Sequence, residues 1–420
     1  MRILIYGILY APELTGVGKY SGEMAAWMVR QGHTVDAIMP MPYYPEWKVQ
    51  ADYKNKGWFT EFVDGVRVHR CPIYVPKKVT ASGRMLLDFS FLLNSLFYWI
   101  RVLFSKRYDA VICVAPPFHI GLFPVLYSMV RHVPVWLHIQ DLQIDIAKEM
   151  GMIKSERFLN LLFKAERFIL KRCKIVSTIS EGMIRKVTEK NCTQSDCVLF
   201  PNWVDEGFVK PLPKHESLRA ELGLTETDKV VLYSGSIGEK QGLELIIEAA
   251  NQFAHRPDLK FLIFGSGGGK GRLEALVQQH KLTNVSFYPL QPYEKLSALL
   301  ATADLHLVLQ KKSASDLVLP SKLTGILAAG GCALVSAVPG TSLHKVVADE
   351  QMGILIEPDS LDALIEGIDR AFRSDLTVYR KNARAYARRN LSKEEILQQF
   401  EAQMLNELNP VAEQLVAEQV

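Results

Sequence analysis

The sequence predicts an α/β protein with two Rossmann-like, doubly wound parallel-sheet domains facing a central cleft. In each half, short apolar runs alternate with segments of helical periodicity, which is the pattern of a parallel sheet covered by helices. The length of 420 residues also exceeds what one hydrophobic core usually holds. Prolines 201, 211 and 213 mark a linker. We therefore expect domains at 1–205 and 206–385, with a helix at about 385–410 packing back on the first.

Short apolar runs predict the strands of both sheets. In the first half these are Arg2–Leu9, His33–Met39, Val66–Cys71, Tyr108–Val114, Pro134–Ile139, Ile175–Ile179 and Cys197–Phe200. In the second half they are Val230–Tyr233, Leu259–Phe264, Val285–Tyr288, Asp304–Leu309, Cys332–Ser336 and Gly353–Ile356. Helical segments separate most of these runs, so both sheets should be mainly parallel.

Charge is unevenly distributed along the chain. Residues 1–200 hold 26 Lys and Arg against 17 Asp and Glu, a net of +9, and residues 201–420 hold 23 against 28, a net of −5. A basic half suggests an anionic partner such as a membrane or nucleic acid, although a solvated surface fits equally well. The six cysteines have no C-x-x-C spacing, and no signal-peptide layout precedes the first strand. Both features favour a reduced, cytoplasmic protein.

The most apolar long segment is Arg84–Phe104, which approaches the length of a membrane span. Asp88, Asn94 and Arg101 interrupt it. A buried helix packed on the sheet is therefore the leading interpretation. The alternative is an amphipathic helix lying on a membrane, with Lys106 and Arg107 at its end.

A turn of glycine and serine follows the first strand of the second half, at Ser234–Gly238. Ser236 and Gly238 lie in it, and helical spacing begins at Leu243. Small residues let the backbone approach a ligand closely, and the start of a helix favours an anion. Lys240 adds a mobile positive charge suited to phosphate. Taken alone, this stretch fits a phosphate site and an ordinary strand–helix connection equally well.

Two groups of candidate residues follow strands of the first domain, where doubly wound sheets bind ligands. The turn Thr15–Lys19 contains Gly16 and Gly18, which allow close backbone approach. His138 lies late in a strand, and Asp141 follows on the connecting loop. Either side chain could orient a hydroxyl or accept its proton. A hydrogen-bonded core histidine is the alternative for His138.

Two further groups follow strands of the second domain. Gly265 and Gly267 belong to a glycine-rich turn after the second strand. Ser321 and Lys322 open a predicted helix, with Ser321 as an N-cap or ligand donor. A lysine in the first helical turn is unfavourable against the helix dipole, and a bound anion would remove that objection.

Several other chemistries are not supported. Glu13 stands where a Walker A loop needs glycine, and Lys270 breaks a dinucleotide fingerprint counted from Gly265. No D-x-D motif, His/Cys cluster of metal-ligand spacing or G-x-S-x-G elbow is present. The sequence thus gives little support to an NAD enzyme, a metal centre or a serine hydrolase.

Motifs along the whole chain resemble the GT-B retaining glycosyltransferases of family 4. In the second half they are YSGSIGEKQGLE, FGSGGGKGRLE, ADLHLVLQ and LPSKL, beginning at Tyr233, Phe264, Ala303 and Leu319. The opening YGILYAPELTGVGKY, the MPYYPEW loop and LHIQD are similar to the WcaI-type glycosyltransferases of colanic acid biosynthesis. Those enzymes are thought to be fucosyltransferases that use GDP-fucose.

The resemblance implies a donor domain at the C-terminus and an acceptor domain at the N-terminus. Lys240 and Lys322 would bind the donor diphosphate, and Gly16 and Gly18 would approach it. Glu181 matches a frequent family position after a strand of the acceptor domain. The implied partners are a nucleotide sugar, a polyprenyl-diphosphate-linked oligosaccharide and an anionic membrane surface, with no nucleic acid, metal or cofactor.

The chain also departs from the family pattern. It lacks an arginine near Ser236 and Ile237, and Leu317 and Gly325 stand where many members carry two glutamates. Gln140 replaces the usual histidine, which leaves Asp141 and His138 as stand-ins. A sugar-nucleotide epimerase or hydrolase of the same fold, and a noncatalytic sugar-nucleotide-binding subunit, therefore remain alternatives.

Overall fold

The computed structural model describes residues 1–13, 16–78, 80–149, 151–153, 155–190, 197–238, 241–314 and 320–408. The chain forms two compact units, one of Met1–Pro201 with Glu395–Val420 and one of Asn202–Glu394. The first unit thus ends at Pro201 rather than at 205, and the second continues to Glu394 rather than 385. Each unit is an α/β domain built on a largely parallel sheet.

The first unit contains eight strands and seven helices longer than one 3₁₀ turn within its described residues. The strands are β1 (Arg2–Gly7), β2 (Thr34–Pro40), β3 (Phe59–Val63), β4 (Val66–Cys71), β5 (Ala110–Ala115), β6 (Val135–Ile139), β7 (Ile175–Thr178) and β8 (Cys197–Leu199). The helices are α1 (Gly16–Arg30), α2 (Ala81–Leu103), α3 (Leu122–Arg131), α4 (Gln143–Glu149), α5 (Glu156–Leu170), α6 (Glu181–Thr188) and the C-terminal helix (Lys393–Leu408).

The strand order of the first sheet is β3-β4-β2-β1-β5-β6-β7-β8. Neighbouring strands pair in parallel except β3, which is antiparallel to β4. The central strands are buried along their whole length, as β5 and β6 are. Each was predicted because a strand covered on both faces has an uninterrupted apolar sequence. β3 was not predicted, since this edge strand alternates between partly buried and exposed residues.

The C-terminal helix completes the core of the first unit from Glu395 onward. Phe400 stacks on Phe200 with ring centroids 4.1 Å apart, and its ring lies 4.6 Å from that of Trp136. His33 Nε2 and a carboxylate oxygen of Glu401 lie 2.6 Å apart, which fixes the same helix beside the turn after α1. The C-terminal helix, Lys393–Leu408, therefore packs on the first domain.

The second unit has a six-stranded parallel sheet within its described residues. Its strands are β9 (Lys229–Ser234), β10 (Leu259–Phe264), β11 (Val285–Tyr288), β12 (Leu305–Val308), β13 (Ala333–Ser336) and β14 (Gly353–Ile356). Its helices are α7 (Glu244–Gln252), α8 (Lys270–Gln279), α9 (Leu296–Thr302), α10 (Lys322–Ala328), α11 (Ser342–Asp349), α12 (Leu361–Arg373) and α13 (Thr377–Asn390). The strand order is β11-β10-β9-β12-β13-β14, all parallel.

The order of this sheet reverses between β9 and β12. The chain runs outward from β9 through β10 to β11 and then returns to place β12 on the other side of β9. Connections leaving neighbouring strands in opposite directions open a crevice at the carboxyl ends of those strands. The loop after β9 and the segment after β12 border this point.

Helix α2 corresponds to the apolar segment predicted at Arg84–Phe104. Leu87, Phe91, Tyr98 and Trp99 are buried against the rest of the unit. The Tyr6 hydroxyl in β1 lies 2.7 Å from the Ser95 hydroxyl, so one side of the helix packs on the sheet. By length and composition Ser82–Leu103 could cross a membrane, the one such helix among the described residues, and about a third of it is buried.

Candidate functional site

The amine of Lys322 ends beside the glycine turn that follows β9. Its Nζ lies 3.4 Å from the centroid of the Tyr233 ring. A Cβ added to Gly235 would come within 3.1 Å of Nζ, so glycine at this position leaves room for the lysine. Nζ is buried and has no hydrogen-bond partner among the described residues. A buried amine without an acceptor is costly, and an anion bound here would supply one.

Burial lowers the pKa of the Lys322 amine well below its usual value. Lys322 as a whole is partly exposed, whereas its side-chain nitrogen is buried. A bound anion would favour the charged form and raise this pKa again. Binding of an anion would therefore favour the protonated, charged form of the Lys322 amine.

The position of this amine matches the ligand-binding edge of the second sheet. Gly235 follows β9, and Lys322 begins α10 after β12. The two meet at the point where the strand order reverses, which is where doubly wound sheets bind ligands. The sequence marked Lys322 and the turn containing Gly235 separately, but it gave no sign that Lys322 contacts Tyr233 and Gly235.

The glycines of the two turns in this unit pack against each other. A Cβ on Gly265 would overlap the carbonyl oxygen of Gly235, and one on Gly267 would overlap that of Ile237. Ile237 N donates to Ser266 O at 2.9 Å, and Gly269 N donates to Ile237 O at 3.2 Å. Backbone against backbone explains why Gly265 and Gly267 are glycine. Their predicted approach to the donor stays a prediction.

Ser236 and Gly238 lie in the turn next to Lys322. The Ser236 carbonyl accepts a hydrogen bond of 2.6 Å from the Tyr233 hydroxyl. A Cβ on Gly238 would lie 3.2 Å from Oε1 of Gln241, a buried oxygen without a partner among the described residues. Gln241 also lines a shallow groove together with Gln310 and Asp359. Polar groups that could orient a ligand thus continue from the turn along this edge of the sheet.

Ser321 occupies the N-cap position of α10, but its side chain makes no capping hydrogen bond. It is exposed, and its carbonyl accepts a hydrogen bond of 2.8 Å from the Thr324 hydroxyl. Of its two predicted uses, the exposed hydroxyl is compatible with a ligand donor. Lys240 lies outside the described residues, as does Leu319 at the start of the LPSKL motif.

His138 in the first unit is a hydrogen-bonded residue of the core. Its Nδ1 lies 2.9 Å from the Ser177 hydroxyl, and its Nε2 lies 2.9 Å from Nε2 of Gln140. Its ring also packs against Phe200, and burial lowers its pKa to about 3. A neutral histidine with both nitrogens engaged favours the structural alternative over a role in proton transfer.

Asp141 and Glu181 lie at the same edge of the first sheet. Asp141 is partly buried in the loop between β6 and α4. Glu181 is exposed in the first turn of α6, where the Ser180 hydroxyl accepts a hydrogen bond of 3.3 Å from Met183 N. Because β6 and β7 are parallel neighbours, their carboxyl ends place both carboxylates on this edge. Their catalytic and donor-binding roles stay predictions.

A buried carboxylate, Glu13, supports the first glycine turn and was not identified as functional from the sequence. It is 2% exposed, and its oxygens accept backbone hydrogen bonds from Tyr10, Tyr43 and Tyr44 at 3.1, 2.8 and 2.7 Å. A Cβ on Gly18 would come within 3.0 Å of Glu13, whereas Gly16, at φ +56°, has open space where its side chain would be. Gly16 and Gly18, which were predicted in a turn, lie instead in the first turn of α1, with Gly18 packed and Gly16 open.

No group of three His, Cys, Asp or Glu side chains within the described ranges is placed to hold a metal ion.

Comparison with known proteins assigns the chain to a family. The model of the family described as "Glycosyl transferase 4-like domain" matches residues 15–203, and that of "Glycosyl transferases group 1" matches residues 214–390. The chain is 41% identical over 409 residues to WcaI of Escherichia coli K12, covering 95% of this chain and 98% of WcaI. WcaI carries the assignment of a glycosyl transferase in colanic acid biosynthesis. The chain belongs to glycosyltransferase family 4.

Solved structures confirm the GT-B fold of this glycosyltransferase. Sucrose-phosphate synthase from Thermosynechococcus elongatus superposes with a TM-score of 0.75 at 17% identity, covering 100% of both chains. HepE from Anabaena, solved with UDP and glucose, gives a TM-score of 0.72 at 14% identity, covering 97% of this chain and 100% of HepE. The expected fold class and enzyme class of the glycosyltransferase are both confirmed.

Proposed function

We propose that this glycosyltransferase moves a sugar from a nucleoside diphosphate to a lipid-linked oligosaccharide, with retention, in the synthesis of an exopolysaccharide of the colanic acid type. Fucose from GDP-fucose is the favoured donor. The identity of 41% with WcaI across nearly the whole chain supports the pathway class. The observation that carries the chemistry is the buried, unpartnered amine of Lys322 at the strand-order reversal.

Lys322 would stabilise the donor diphosphate as it leaves. Negative charge grows on the bridging oxygen when the bond to the sugar breaks, and a cation fixed in a site of low polarity stabilises this charge most strongly. Lys240 would share this role. The reaction proposed here uses these groups and no metal or cofactor.

The acceptor proton would pass to the departing phosphate on the same face of the sugar. Asp141, partly buried at the edge of the first sheet, is the carboxylate that we assign to orienting the acceptor or the sugar. His138 would support it indirectly through Gln140, which precedes Asp141 in the chain and lies 2.9 Å from the imidazole.

A donor screen tests this proposal. Purified protein is titrated with GDP-fucose, other nucleotide sugars and the free nucleotides by calorimetry, and the products are analysed with and without acceptor. We expect Lys322→Ala to weaken diphosphate binding at least tenfold, and Lys345→Ala, an exposed lysine of the same unit, to leave it unchanged.

The product analysis distinguishes the competing functions. Conversion of donor without any acceptor would indicate an epimerase or hydrolase, and binding without turnover would indicate a noncatalytic subunit. Equal nucleotide affinity for Lys322→Ala and the unaltered protein would contradict the assigned site.

We further propose that the acceptor is presented at an anionic membrane on the cytoplasmic side. Helix α2 exposes one apolar stripe along its length, with residues spaced by three or four: Leu86, Phe89, Leu93, Phe97, Ile100 and, just beyond the helix, Phe104. Their exposed fractions run from 45% for Phe97 to 82% for Phe104. A helix with one side in a domain core and the other apolar and exposed suits the interface of a bilayer.

Basic side chains lie at both ends of this stripe. Before the first turn of α2 or within it, the exposed basic residues are Lys77, Lys78 and Arg84. After the end of α2 they are Lys106 and Arg107. Such clusters attract anionic lipid headgroups, by about 1 kcal/mol per charge near the surface. Part of the net positive charge of the first half of the chain is therefore concentrated at the two ends of α2.

Sedimentation with vesicles tests the membrane proposal. Neutralising Lys77, Lys78, Arg84, Lys106 and Arg107 should reduce binding to phosphatidylglycerol vesicles, with little binding to phosphatidylcholine in either form. Replacing Leu93 and Phe97 by serine should reduce vesicle binding as well, since that removes apolar area that would be buried in the bilayer. Unchanged sedimentation of both variants would count against a membrane-bound state.

A further inference from the structure

The aromatic loop, Met41–Trp47, is a prominent feature of the first unit to which neither the fold nor the proposed function gives a role. It follows β2 at the carboxyl edge of the sheet. Tyr43 is buried, whereas Tyr44 and Trp47 are partly exposed. The Trp47 ring lies 5.9 Å from the Tyr43 ring and 6.3 Å from the Tyr44 ring. The loop thus presents a cluster of rings at the edge where ligands of such sheets bind.

The backbone of Trp47 adopts a left-handed conformation, with φ of +52°. A bulky residue rarely adopts this conformation, and it persists only where the surrounding structure holds it. Lys48 N donates to Tyr43 O at 3.1 Å, and Gln50 N donates to Pro42 O at 3.0 Å, which closes the loop on itself. The loop therefore holds the Trp47 backbone in this conformation.

Glu13 fastens the aromatic loop to the rest of the domain. One of its oxygens accepts both the Tyr43 and Tyr44 N–H groups, and the other accepts that of Tyr10 in the preceding loop. Arg70 assists, since it donates to the carbonyls of Pro40 and Ala11 on the two sides. A carboxylate accepts at both oxygens, so it serves three converging N–H donors where an amide would serve fewer.

Arg84 lies beside the same rings. Its guanidinium carbon is 5.0 Å from the centroid of the Trp47 ring, and its side chain is exposed. It belongs to the first turn of α2, just before the apolar stripe that starts at Leu86. A planar group with several N–H donors next to an aromatic face is suited to a ligand that has both hydroxyls and an apolar face.

We propose that the aromatic loop is a saccharide-binding site for the acceptor, with Trp47 and Tyr44 as its contact surfaces and Glu13 as its positioning residue. The C–H face of a pyranose would pack on the rings, and Arg84 would donate to its hydroxyls. This placement sets the sugar beside the N-terminal end of α2. The inference rests on the proposed function only in that the acceptor carries a sugar.

Ligand-detected NMR titration of the full chain with methyl glycosides of glucose, galactose and fucose tests this site. We expect the unaltered protein to bind at least one glycoside, Trp47→Ala to weaken that binding at least tenfold, and Glu13→Gln at least fivefold. Two matched controls should bind normally: Glu46→Gln, an exposed carboxylate of the same loop, and Phe62→Ala, a ring 73% exposed elsewhere in the unit. Thermal melts verify that each variant is folded.

Two results would overturn the inference: no glycoside binds the unaltered protein, or Trp47→Ala binds as tightly. Where an acceptor is turned over, its KM should rise in Trp47→Ala and Glu13→Gln, with the donor KM within twofold of normal. Partial unfolding would lower kcat without moving KM, so this split separates positioning from general stability. Nucleotide binding through Lys322 is measured independently, so failure here leaves the donor proposal intact.

Discussion

Replacing Lys322 by methionine should stabilise the protein and abolish its chemistry. The amine is buried without a hydrogen-bond partner among the described residues, and an unsatisfied buried polar group costs about 1–3 kcal/mol. Methionine has a similar length and keeps a sulfur–aromatic contact with Tyr233, worth about 0.3–1.5 kcal/mol. It loses the contact of the amine with the same ring, at 3.4 Å, which offsets part of the gain.

The net expectation is a gain of about 1–2 kcal/mol in the free energy of unfolding of the second unit. For a domain of this size, that raises the melting temperature by about 2–8 °C. Initial rates with saturating donor should fall at least about a hundredfold, because a preplaced charge at the leaving group contributes about 3–4 kcal/mol in comparable sites. Both quantities are measured on one preparation, by calorimetric melts and by product formation.

The matched control is Lys345→Met, which changes an exposed lysine and should leave both quantities within error. Opposite signs for stability and activity are the distinctive outcome at Lys322. If the free energy of unfolding of Lys322→Met is lower than that of the unaltered protein by more than about 1 kcal/mol, the buried amine must have a favourable partner in the folded state. Normal turnover would remove Lys322 from the mechanism.

Three other predictions concern packing and pH. Gly267→Ala should destabilise the second unit by at least about 2 kcal/mol in thermal melts, since its Cβ would overlap Ile237 O at φ of +147°, whereas Gly268→Ala meets open space and should be nearly neutral. Phe400→Ala should cost the first unit about 3–5 kcal/mol in denaturant titration, and a loss under 1 kcal/mol would contradict the packing described. Burial raises the pKa of Glu13 from 4.5 to about 7, although three backbone hydrogen bonds act to lower it. The folded protein therefore favours the protonated carboxyl. The contribution of this group to stability is complete below about pH 4.5 and is lost as the pH rises through 7. Melts of Glu13→Gln and the unaltered protein from pH 5 to 8 should therefore converge or cross in favour of the variant as pH rises, and a constant difference would refute the shift.

The sequence predicted the two sheets because most strands are covered on both faces and are therefore continuously apolar. β3 was not predicted because residues Phe59–Val63 alternate between partly buried and exposed at the edge of the sheet. Its antiparallel pairing also depends on the turn before β4. Motif positions at strand ends predicted Lys322 at the carboxyl edge of the second sheet, and the structure places it there. The contact of Lys322 with Tyr233 and Gly235 could not be predicted, since only the folded sheet brings β9 and α10 together.

Glu13 and His138 show the opposite limits of motif reading. An acidic residue in a turn usually faces water, and nothing local indicates that the N–H groups of Tyr10, Tyr43 and Tyr44 converge on Glu13. A histidine late in a strand could face either a ligand or the core. Its partners Ser177 and Gln140 favour the core, and one of them lies on a neighbouring strand that the sequence alone does not align.

The return of the last helix to the first unit has a consequence for biosynthesis. Phe400 fills the space between Phe200 and Trp136, and Glu401 contacts His33 near the beginning of the chain. These groups are translated after the whole of the second unit. The core of the first unit therefore stays incomplete while the second unit is translated and folds. Protein truncated shortly before residue 395 should expose that gap, and quality-control proteases would be expected to remove it.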